Sequence, residues 1–249
     1  MNPSGGLFWH LHAWRCKSQW TATCADIALW LGQMPWAQHE SAQTEELLIL
    51  GASAGWMVPS AWLQRFRSVT TFDVDRWAAP LFQRRHGAAL RASGTALRCH
   101  THDALADLPA LLSAHPRAVV LLDNVLGQLR FHHASVEAAA GQIQQITRGL
   151  HGRRWGSVHD AFSGRTQRRA AGSATVPMLH SPQAAKDKAA QTERRAVALA
   201  HFSNQLGAQG EWLDHLTDGV FPAGTVVHHI AWPYRPRYCH WLQAGWVKE

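Results

Sequence analysis

The stretch LLILGASAG, residues 47–55, decides the fold, because four apolar residues run straight into a Gly-small-Ser-small-Gly turn. An apolar segment that is compatible with a helix follows the turn. From here to residue 159, short apolar runs alternate with helical segments, which is typical of a parallel sheet covered by helices on both faces. The predicted strands are residues 47–50, 69–72, 97–101, 118–122 and 155–159. The predicted helices are residues 59–66, 75–85 (with Gly87 as its stop), 104–114 and 135–150.

The two ends of the chain interrupt this rhythm. Residues 7–36 carry five of the thirteen tryptophans and an apolar stripe at helical spacing, so we expect an N-terminal helical cap over residues 1–44. Residues 225–246 form two β-rich runs around the turn-forming tetrad PYRP, which predicts an antiparallel hairpin. The expected fold class is therefore α/β: a doubly wound, mostly parallel seven-stranded sheet with a C-terminal antiparallel hairpin, in a domain spanning residues 45–249.

The net charge of +7 is concentrated in one segment. Ten Lys or Arg residues and three acidic residues lie between Arg148 and Arg195, whereas the remainder of the chain carries fourteen of each sign. Residues 163–193 are rich in Ser, Gly, Ala and Arg, which predicts a basic, mobile insertion, and a helix is expected over residues 184–206. The basic segment, residues 148–195, could bind nucleic acid or an acidic partner, or it could be a solvated loop.

Composition excludes several other classes of protein. The chain has 249 residues, of which 46% are hydrophobic, as in a globular protein. No apolar run reaches the roughly 18 residues of a membrane span, and the N-terminus lacks a signal-peptide pattern, so we expect a cytoplasmic protein without a membrane partner. No metal site is predicted, since the histidine pairs at 10/12 and 228/229 lack a third ligand or point to opposite faces of a strand. The four cysteines are expected to be free thiols: Cys16, Cys24, Cys99 and Cys239.

Two unrelated chemistries use a turn like the one at residues 51–55. One is the G-x-S-x-G nucleophile elbow of serine hydrolases, with Ser53 as the nucleophile. That elbow follows several strands and an oxyanion loop, but only 46 residues precede this one, and they have a helical pattern. The other is the glycine-rich turn after the first strand of a nucleotide-binding unit. The second alternative fits more of the sequence, and the hydrolase stays as the weaker hypothesis.

Acidic residues mark the ends of three successive predicted strands. Asp73 lies 22 residues after Gly51, where nucleotide-binding folds carry a carboxylate for the ribose hydroxyls. Asp103 follows the third strand, where a carboxylate can accept a hydrogen bond from the exocyclic amine of adenine. Asp123 follows the fourth strand. Because the carboxyl ends of parallel strands open onto one crevice, these three side chains are expected to surround one ligand.

Several motifs together resemble those of the class I S-adenosylmethionine-dependent methyltransferases. "LILGASAG" is similar to the family's first motif, "VTTFDVD" to its second, "HDAL" to its adenine-site motif and "VVLLDNVLGQL" to the motif after the fourth strand. The resemblance spans roughly residues 45–249, and the terminal hairpin is similar to the family's reversed seventh strand. It departs at two positions, because Ile49 stands where the family usually has an acidic residue and Ser53 stands at the second glycine.

The resemblance implies S-adenosyl-L-methionine as the cofactor and a set of residues around it. Asp123 and Asn124 would lie near the transferred methyl group, and His159, beside Asp160 at the end of the fifth strand, is a candidate base that would face the substrate. The implied cofactor-binding residues are Gly51, Ala52, Ser53, Gly55, Asp73, Val74, Asp103, Ala104 and Asp123.

Methyl transfer mainly requires alignment of two reactants and exclusion of water, so a strong catalytic motif is not expected. Asp123-Asn124-Val125-Leu126 is not the D/N-P-P-Y type that positions the amine of a base. The function predicted is therefore an S-adenosylmethionine-dependent methyltransferase with a small-molecule acceptor. The alternatives are a non-catalytic Rossmann-like binding protein, acting through its basic segment, and the serine hydrolase.

Overall fold

The computed structural model describes residues 6–35, 45–167, 176–179, 200 and 207–248. The helices are α1 (Gly6–Cys16), α2 (Thr21–Gly32), α3 (Ser60–Leu63), α4 (Ala78–Ala92), α5 (Leu108–Ala114), α6 (Val125–His132) and α7 (Val136–Gly149). The strands are β1 (Glu46–Leu50), β2 (Ser68–Asp73), β3 (Ala96–Thr101), β4 (Val119–Asp123), β5 (Trp155–Thr166), β6 (Val176–Leu179), β7 (Ala208–Asp214), β8 (Val226–Arg235) and β9 (Tyr238–Val247).

One mixed sheet organises the chain, in the order β3-β2-β1-β4-β5-β9-β8-β6. The strands from β3 to β5 are parallel, and β9 runs antiparallel to both β5 and β8. The doubly wound fold class and the C-terminal antiparallel hairpin are thereby confirmed. The strand count differs, because the described residues contain nine strands and not seven. The two additional strands are β6, paired with β8, and β7, paired with β5 beyond the end of β4.

The apolar runs at β1 and β4 form the centre of the sheet because both of its faces are covered. Leu47 and Ile49 pack into a cluster with the N-terminal helices, α3 and α4. Leu48 and Leu50 pack into the opposite cluster with α5 and α7. All four side chains are buried, and the alternation of a strand explains why neighbours enter different clusters.

The N-terminal helices cap the side of the sheet near the β8–β9 hairpin. The Thr23 hydroxyl donates to the carbonyl of Ala231 at 2.8 Å, in a fully buried contact. Trp30 stacks on Trp246 with ring centroids 4.9 Å apart. The buried Trp20 and Trp30 therefore help to fix this cap to the C-terminal strands, whereas Trp14 is exposed. The four cysteines are free thiols, as predicted.

Several predicted boundaries are wrong. Gly87 does not end its helix: α4 continues to Ala92, and Gly94 provides the stop with its left-handed φ of +78°. The helix predicted from residue 104 begins only at Leu108. Residues 163–166, assigned to the insertion, continue β5, and residues 176–179 form β6. The helix predicted over residues 184–206 lies outside the described residues, apart from residue 200. Within the described ranges, none of the helices is both long and apolar enough to cross a bilayer.

Gly51 is required by its backbone and by its neighbours. Its φ is +77°, and a Cβ there would lie 2.9 Å from the carbonyl oxygen of Asp123 and from Cβ of Val125. We expect Gly51→Ala to lower the free energy of unfolding by about 1–3 kcal/mol, measured by urea denaturation. Gly87→Ala is the matched control, because that Cβ would meet nothing within 4 Å inside α4. The control should raise stability by about 0.5–1 kcal/mol. Equal stabilities of the two variants would contradict this assignment.

Candidate functional site

A cavity of about 860 Å³ opens at the carboxyl ends of the parallel strands. Its floor is formed by the ends of β1, β2 and β4 and by the loop after β3. One wall is formed by β5 and the tip of the β8–β9 hairpin, which extend beyond the parallel strands. Trp9 of α1 and Trp20, in the turn before α2, also line the cavity. The cavity is where a doubly wound sheet binds ligands, because the strand ends and helix starts diverge there.

The turn at residues 51–55 is held in place from below. The amides of Gly51 and Ala52 both donate to the carbonyl of Phe72 in β2. At Gly55, where φ is +61°, a Cβ would come within 2.5 Å of Nε2 of His86. His86 lies 3.2 Å from the Gly55 carbonyl and 2.7 Å from the Ser60 hydroxyl, and burial lowers its pKa to about 4. The neutral imidazole therefore acts as a support beneath the turn.

Ser53 stands where the glycine-rich motif usually has its second glycine, and its backbone adopts the left-handed conformation that glycine favours. Its φ of +47° is left-handed, and its amide donates to Oδ2 of Asp73 at 2.7 Å. Its hydroxyl accepts a hydrogen bond from Nε1 of Trp9 at 3.1 Å. No hydrogen bond joins Ser53 to a histidine in the described part of the chain, so the geometry offers no activated nucleophile for the hydrolase hypothesis.

Asp73 lies at the end of β2, directly against the turn. Its Oδ1 accepts from the amide of Asp75 at 2.8 Å and its Oδ2 from the amide of Ser53. Burial raises the pKa of Asp73, although these two hydrogen bonds act in the opposite direction. Each carboxylate oxygen retains a second lone pair, and Asp73 and the neighbouring exposed Val74 both line the cavity.

The loop after β3 brings a second acidic residue to the same cavity. Oδ1 of Asp103 accepts from the amide of Leu105 at 3.1 Å, which fixes the carboxylate at the rim. Asp103 is exposed, and the buried Ala104 beside it lines the same wall. The structure thus brings Asp73, Asp103 and Asp123 together, as the strand-end argument predicts. Their roles in cofactor binding stay predictions.

Asp123 and Asn124 end β4 and differ in their contacts. Asp123 lines the cavity, and burial of its carboxyl group, aided by the charge of Asp73, raises its pKa to about 7. Asn124 has a left-handed φ of +54°, and its amide donates to the carbonyl of Val158. Its side chain binds Asp160 twice, with Nδ2 donating to Oδ2 at 3.1 Å and Oδ1 accepting from the backbone amide at 2.9 Å. Asn124 therefore positions Asp160.

His159 does not face the cavity, so its assignment as a base is wrong. It is fully buried, stacks on Phe221 with centroids 5.3 Å apart and lies 2.8 Å from the Ser157 hydroxyl. Burial lowers its pKa to about 3. The reason is strand alternation: adjacent residues of β5 point to opposite faces, and it is Asp160 that lines the cavity.

Two histidines that the sequence did not single out join Asp160. Oδ1 of Asp160 lies 2.8 Å from Nδ1 of His240 in β9, and His215 follows β7. One donor or acceptor atom from each of these residues lies within 4.8 Å of the others. Three protein donors already occupy the Asp160 carboxylate, since Gln128 donates to Oδ2 at 3.2 Å in addition to Asn124 and His240. Asp160, His215 and His240 are far apart in the sequence, so they form no local motif that sequence analysis could detect.

The hairpin end of the cavity is aromatic and cationic. Trp20 packs edge-on against Trp232 with centroids 5.1 Å apart, and Trp9 stacks on Tyr234 at 5.9 Å. Three exposed arginines lie at the rim: Arg165, Arg235 and Arg237. The strand-end side carries carboxylates, so the two ends of the cavity differ in charge.

No protein-family model and no curated protein sequence matches the chain. Solved structures similar to it include magnesium protoporphyrin IX methyltransferase from Synechocystis PCC 6803 with bound S-adenosylhomocysteine, at 16% identity over 93% of this chain and 84% of that one, with a TM-score of 0.46. A SAM-dependent methyltransferase from Anabaena variabilis is 12% identical over 97% and 93%, with a TM-score of 0.42. One from Thiobacillus denitrificans, in complex with S-adenosylhomocysteine, is 15% identical over 89% and 91%, at 0.38. These similarities are distant, so the fold and the site stand on the chain's own geometry.

The raised pKa of Asp123 predicts a pH-dependent gain in stability for Asp123→Asn. The folded chain binds this proton more tightly than the unfolded chain, whose carboxyl has a pKa of 3.8. The resulting stabilisation is complete below about pH 4 and is lost as pH rises through about 7. At pH 8 the free energy of unfolding of the variant should therefore be about 1–2 kcal/mol higher than that of the parent. This value is reduced to account for screening of the charge by solvent in the cavity.

Urea denaturation at pH 8 and at pH 4.5 measures this difference, which should shrink at the lower pH. Asp107→Asn is the control, since Asp107 is an exposed carboxylate that does not line the cavity, although it pairs with His102 at the cavity rim. If the difference in free energy of unfolding between variant and parent does not change with pH, or if the variant is less stable than the parent at pH 8, ionised Asp123 does not destabilise the folded protein.

Proposed function

We propose that the protein is an S-adenosylmethionine-dependent methyltransferase that acts on a small-molecule acceptor. The observation that carries this proposal is the contact between the glycine turn and Asp73. A carboxylate whose two oxygens are oriented by the amides of Ser53 and Asp75 faces the cavity at the lip of the turn. Such a carboxylate can accept two hydrogen bonds from a vicinal diol, as in a ribose.

The remaining strand ends fit an adenosine-containing cofactor. Gly51 lets the turn pack against the end of β4, because a Cβ there would collide with the carbonyl of Asp123, and Gly51 and Ser53 both line the cavity. The free oxygen of the Asp103 carboxylate can accept a hydrogen bond from an exocyclic amine. The cavity, at about 860 Å³, lies near the upper end of typical ligand sites, so a nucleoside and a second small molecule fit together.

The cofactor's amino group needs a partner, and Ile49 cannot provide one because its side chain is aliphatic and is also fully buried in the sheet. Asp123 stands beside the turn, with its carbonyl 2.9 Å from the place where a Gly51 Cβ would lie. For its side chain no hydrogen bond is recorded among the described residues. We assign Asp123 to the cationic amino end of the cofactor, where ligand charge would favour its ionised form.

Bound S-adenosylmethionine supplies an electrophilic methyl group. The chain's own contribution is to hold the acceptor in line with that methyl and to exclude water. Trp9 and Trp232 form an apolar wall over the strand ends, and Asn124 keeps Asp160 in place beside them. Binding of nucleic acid or of an acidic partner through residues 148–195 stays a prediction, since most of the basic segment beyond residue 167 lies outside the described residues.

Isothermal titration calorimetry with S-adenosylmethionine and S-adenosylhomocysteine tests the proposal. We expect both to bind, and Asp73→Ala to weaken binding about 10–100-fold, because the ribose loses hydrogen bonds to a charged acceptor worth about 1–3 kcal/mol. Asp107→Ala is the control, because it removes a carboxylate that does not line the cavity.

Two outcomes would count against this function. If neither compound binds the parent protein at about millimolar concentration, the non-catalytic binding protein becomes the better hypothesis. If both bind but Asp73→Ala has unchanged affinity while remaining folded, Asp73 does not hold the ribose.

A further inference from the structure

His240 is a cavity-lining histidine whose ring is oriented from behind by a buried carboxylate. Its Nδ1 lies 2.8 Å from Oδ1 of Asp160, which is completely buried, whereas the His240 side chain is 13% exposed. No hydrogen bond to Nε2 of His240 is recorded within the described residues. One ring nitrogen is thus engaged in the protein, and the other is available to a ligand in the cavity.

The environment of Asp160 fixes the tautomer of His240. Burial by itself would raise the pKa of Asp160, but the contact with His240 and the hydrogen bond from Asn124 outweigh it and lower that pKa to about 2, and Gln128 donates a further hydrogen bond to Oδ2. The carboxylate is therefore ionised at neutral pH and can only accept hydrogen bonds. Nδ1 of His240 must then carry the proton of this contact, which leaves the lone pair of the neutral ring on Nε2.

His215 has no such free nitrogen. Its Nδ1 donates to the carbonyl of Gly127 at 2.8 Å, and its Nε2 accepts from the Ser163 hydroxyl at 2.9 Å. Burial lowers the pKa of His215, which keeps it neutral. The Asp160 carboxylate is also fully engaged, by three protein donors. This bonding pattern favours a proton acceptor at His240 over a metal bound between the three residues.

The surroundings of His240 are suited to an aromatic ligand with an anionic group. The centroid of the His240 ring lies 5.0 Å from that of Tyr234 and 4.9 Å from that of Trp232. The guanidinium carbon of Arg235 lies 5.0 Å from the centroid of the Tyr234 ring. Arg235 and His240 therefore both lie beside Tyr234 and line the same cavity, so an aromatic ligand there could reach the two groups with different substituents.

We propose that His240, positioned by Asp160, removes the proton of an aromatic hydroxyl acceptor whose carboxylate or similar anionic group binds the arginine rim. This inference rests on the proposed function and names its acceptor class. The hydroxyl oxygen forms the new bond to the methyl carbon with one of its lone pairs. The pair of the broken carbon–sulfur bond stays on sulfur, which leaves S-adenosylhomocysteine. The hydroxyl proton passes to Nε2 of His240, and the Asp160 carboxylate stabilises the resulting imidazolium.

Groups from every neighbouring element face this histidine and would influence its protonation. The titratable or charged neighbours on the described elements are Asp160 of β5, His215 after β7, Tyr234 and Arg235 of β8, and Tyr238 of β9. Of these, Asp160 is the only one in direct hydrogen-bonding contact with the ring. It is therefore the group that the test must separate from His240 itself.

The test uses 4-hydroxy-3-nitrobenzoate, whose phenol and phenolate forms absorb at different wavelengths, so that proton transfer is visible without methyl transfer. We expect the parent protein to bind the probe and to increase its phenolate-to-phenol ratio about tenfold at a pH below the ionisation midpoint of the free probe. His240→Asn should bind the probe without this change. Asp160→Asn should reduce it, and His132→Asn, at an exposed cavity-lining histidine, should retain it.

A second probe tests the anionic group, since 4-hydroxy-3-nitrobenzamide, which lacks the carboxylate, should bind at least fivefold more weakly. No binding of the carboxylate probe to the parent protein would overturn the acceptor class, and an unchanged phenolate signal in His240→Asn would overturn the role of His240. Cobalt(II) added alone, giving a visible absorption band that His240→Asn loses, would show a metal site instead. Calorimetry with S-adenosylmethionine on the parent and on His240→Asn reports separately whether the proposed function fails.

Discussion

The hydrogen bond from the amide of Ser53 to the carboxylate of Asp73 is the contact on which the rest of the site depends. It joins the turn after β1 to the end of β2, 20 residues later, so that these two adjacent strand ends form one continuous edge of the cavity. The contact requires a left-handed backbone at Ser53 and close approach at Gly51, where a side chain would collide with the end of β4. Three strand ends are thereby held at fixed spacing, with their acidic residues facing one space.

The second constraint is the length of β5. The parallel strand β4 ends at Asp123, but β5 continues to Thr166 and pairs with β9 along most of its length. The extension raises a wall above the carboxyl edge of the sheet, and it carries Asp160 to the level of the cavity. The tip of the β8–β9 hairpin lies in the same wall, so residues far apart in sequence meet opposite the acidic strand ends. The cavity owes its two differently charged ends to this arrangement.

The sequence predicts those features that depend on local pattern. All-apolar runs, glycine turns and acidic residues at strand ends identified β1, β4 and the approach of Asp73 to the turn. The prediction was wrong where two residues compete for one role. His159 and Asp160 are adjacent, and only the packing of β5 decides which of them faces the cavity. Gly87 and Gly94 both resemble helix stops, but only Gly94 adopts the positive φ that ends α4. His240 could not be assigned because its partner lies 80 residues away.

The Asp160 network is easier to understand as part of the cavity than as part of the core. Removing a carboxylate from water costs several kcal/mol, and the hydrogen bonds from Asn124, Gln128 and His240 offset this cost. Apolar residues of similar volume are often at least as stabilising as such a buried charged group. The surrounding cluster, which contains Ala161, Phe162 and Trp241, is apolar, so stability alone gives no reason for an ionised group there. The carboxylate of Asp160 instead fixes the orientation and the tautomer of His240, which lines the cavity. The polar network is therefore explained by its effect on His240. It holds the lone pair of Nε2 in position before a ligand binds, so that binding requires no rearrangement of the ring.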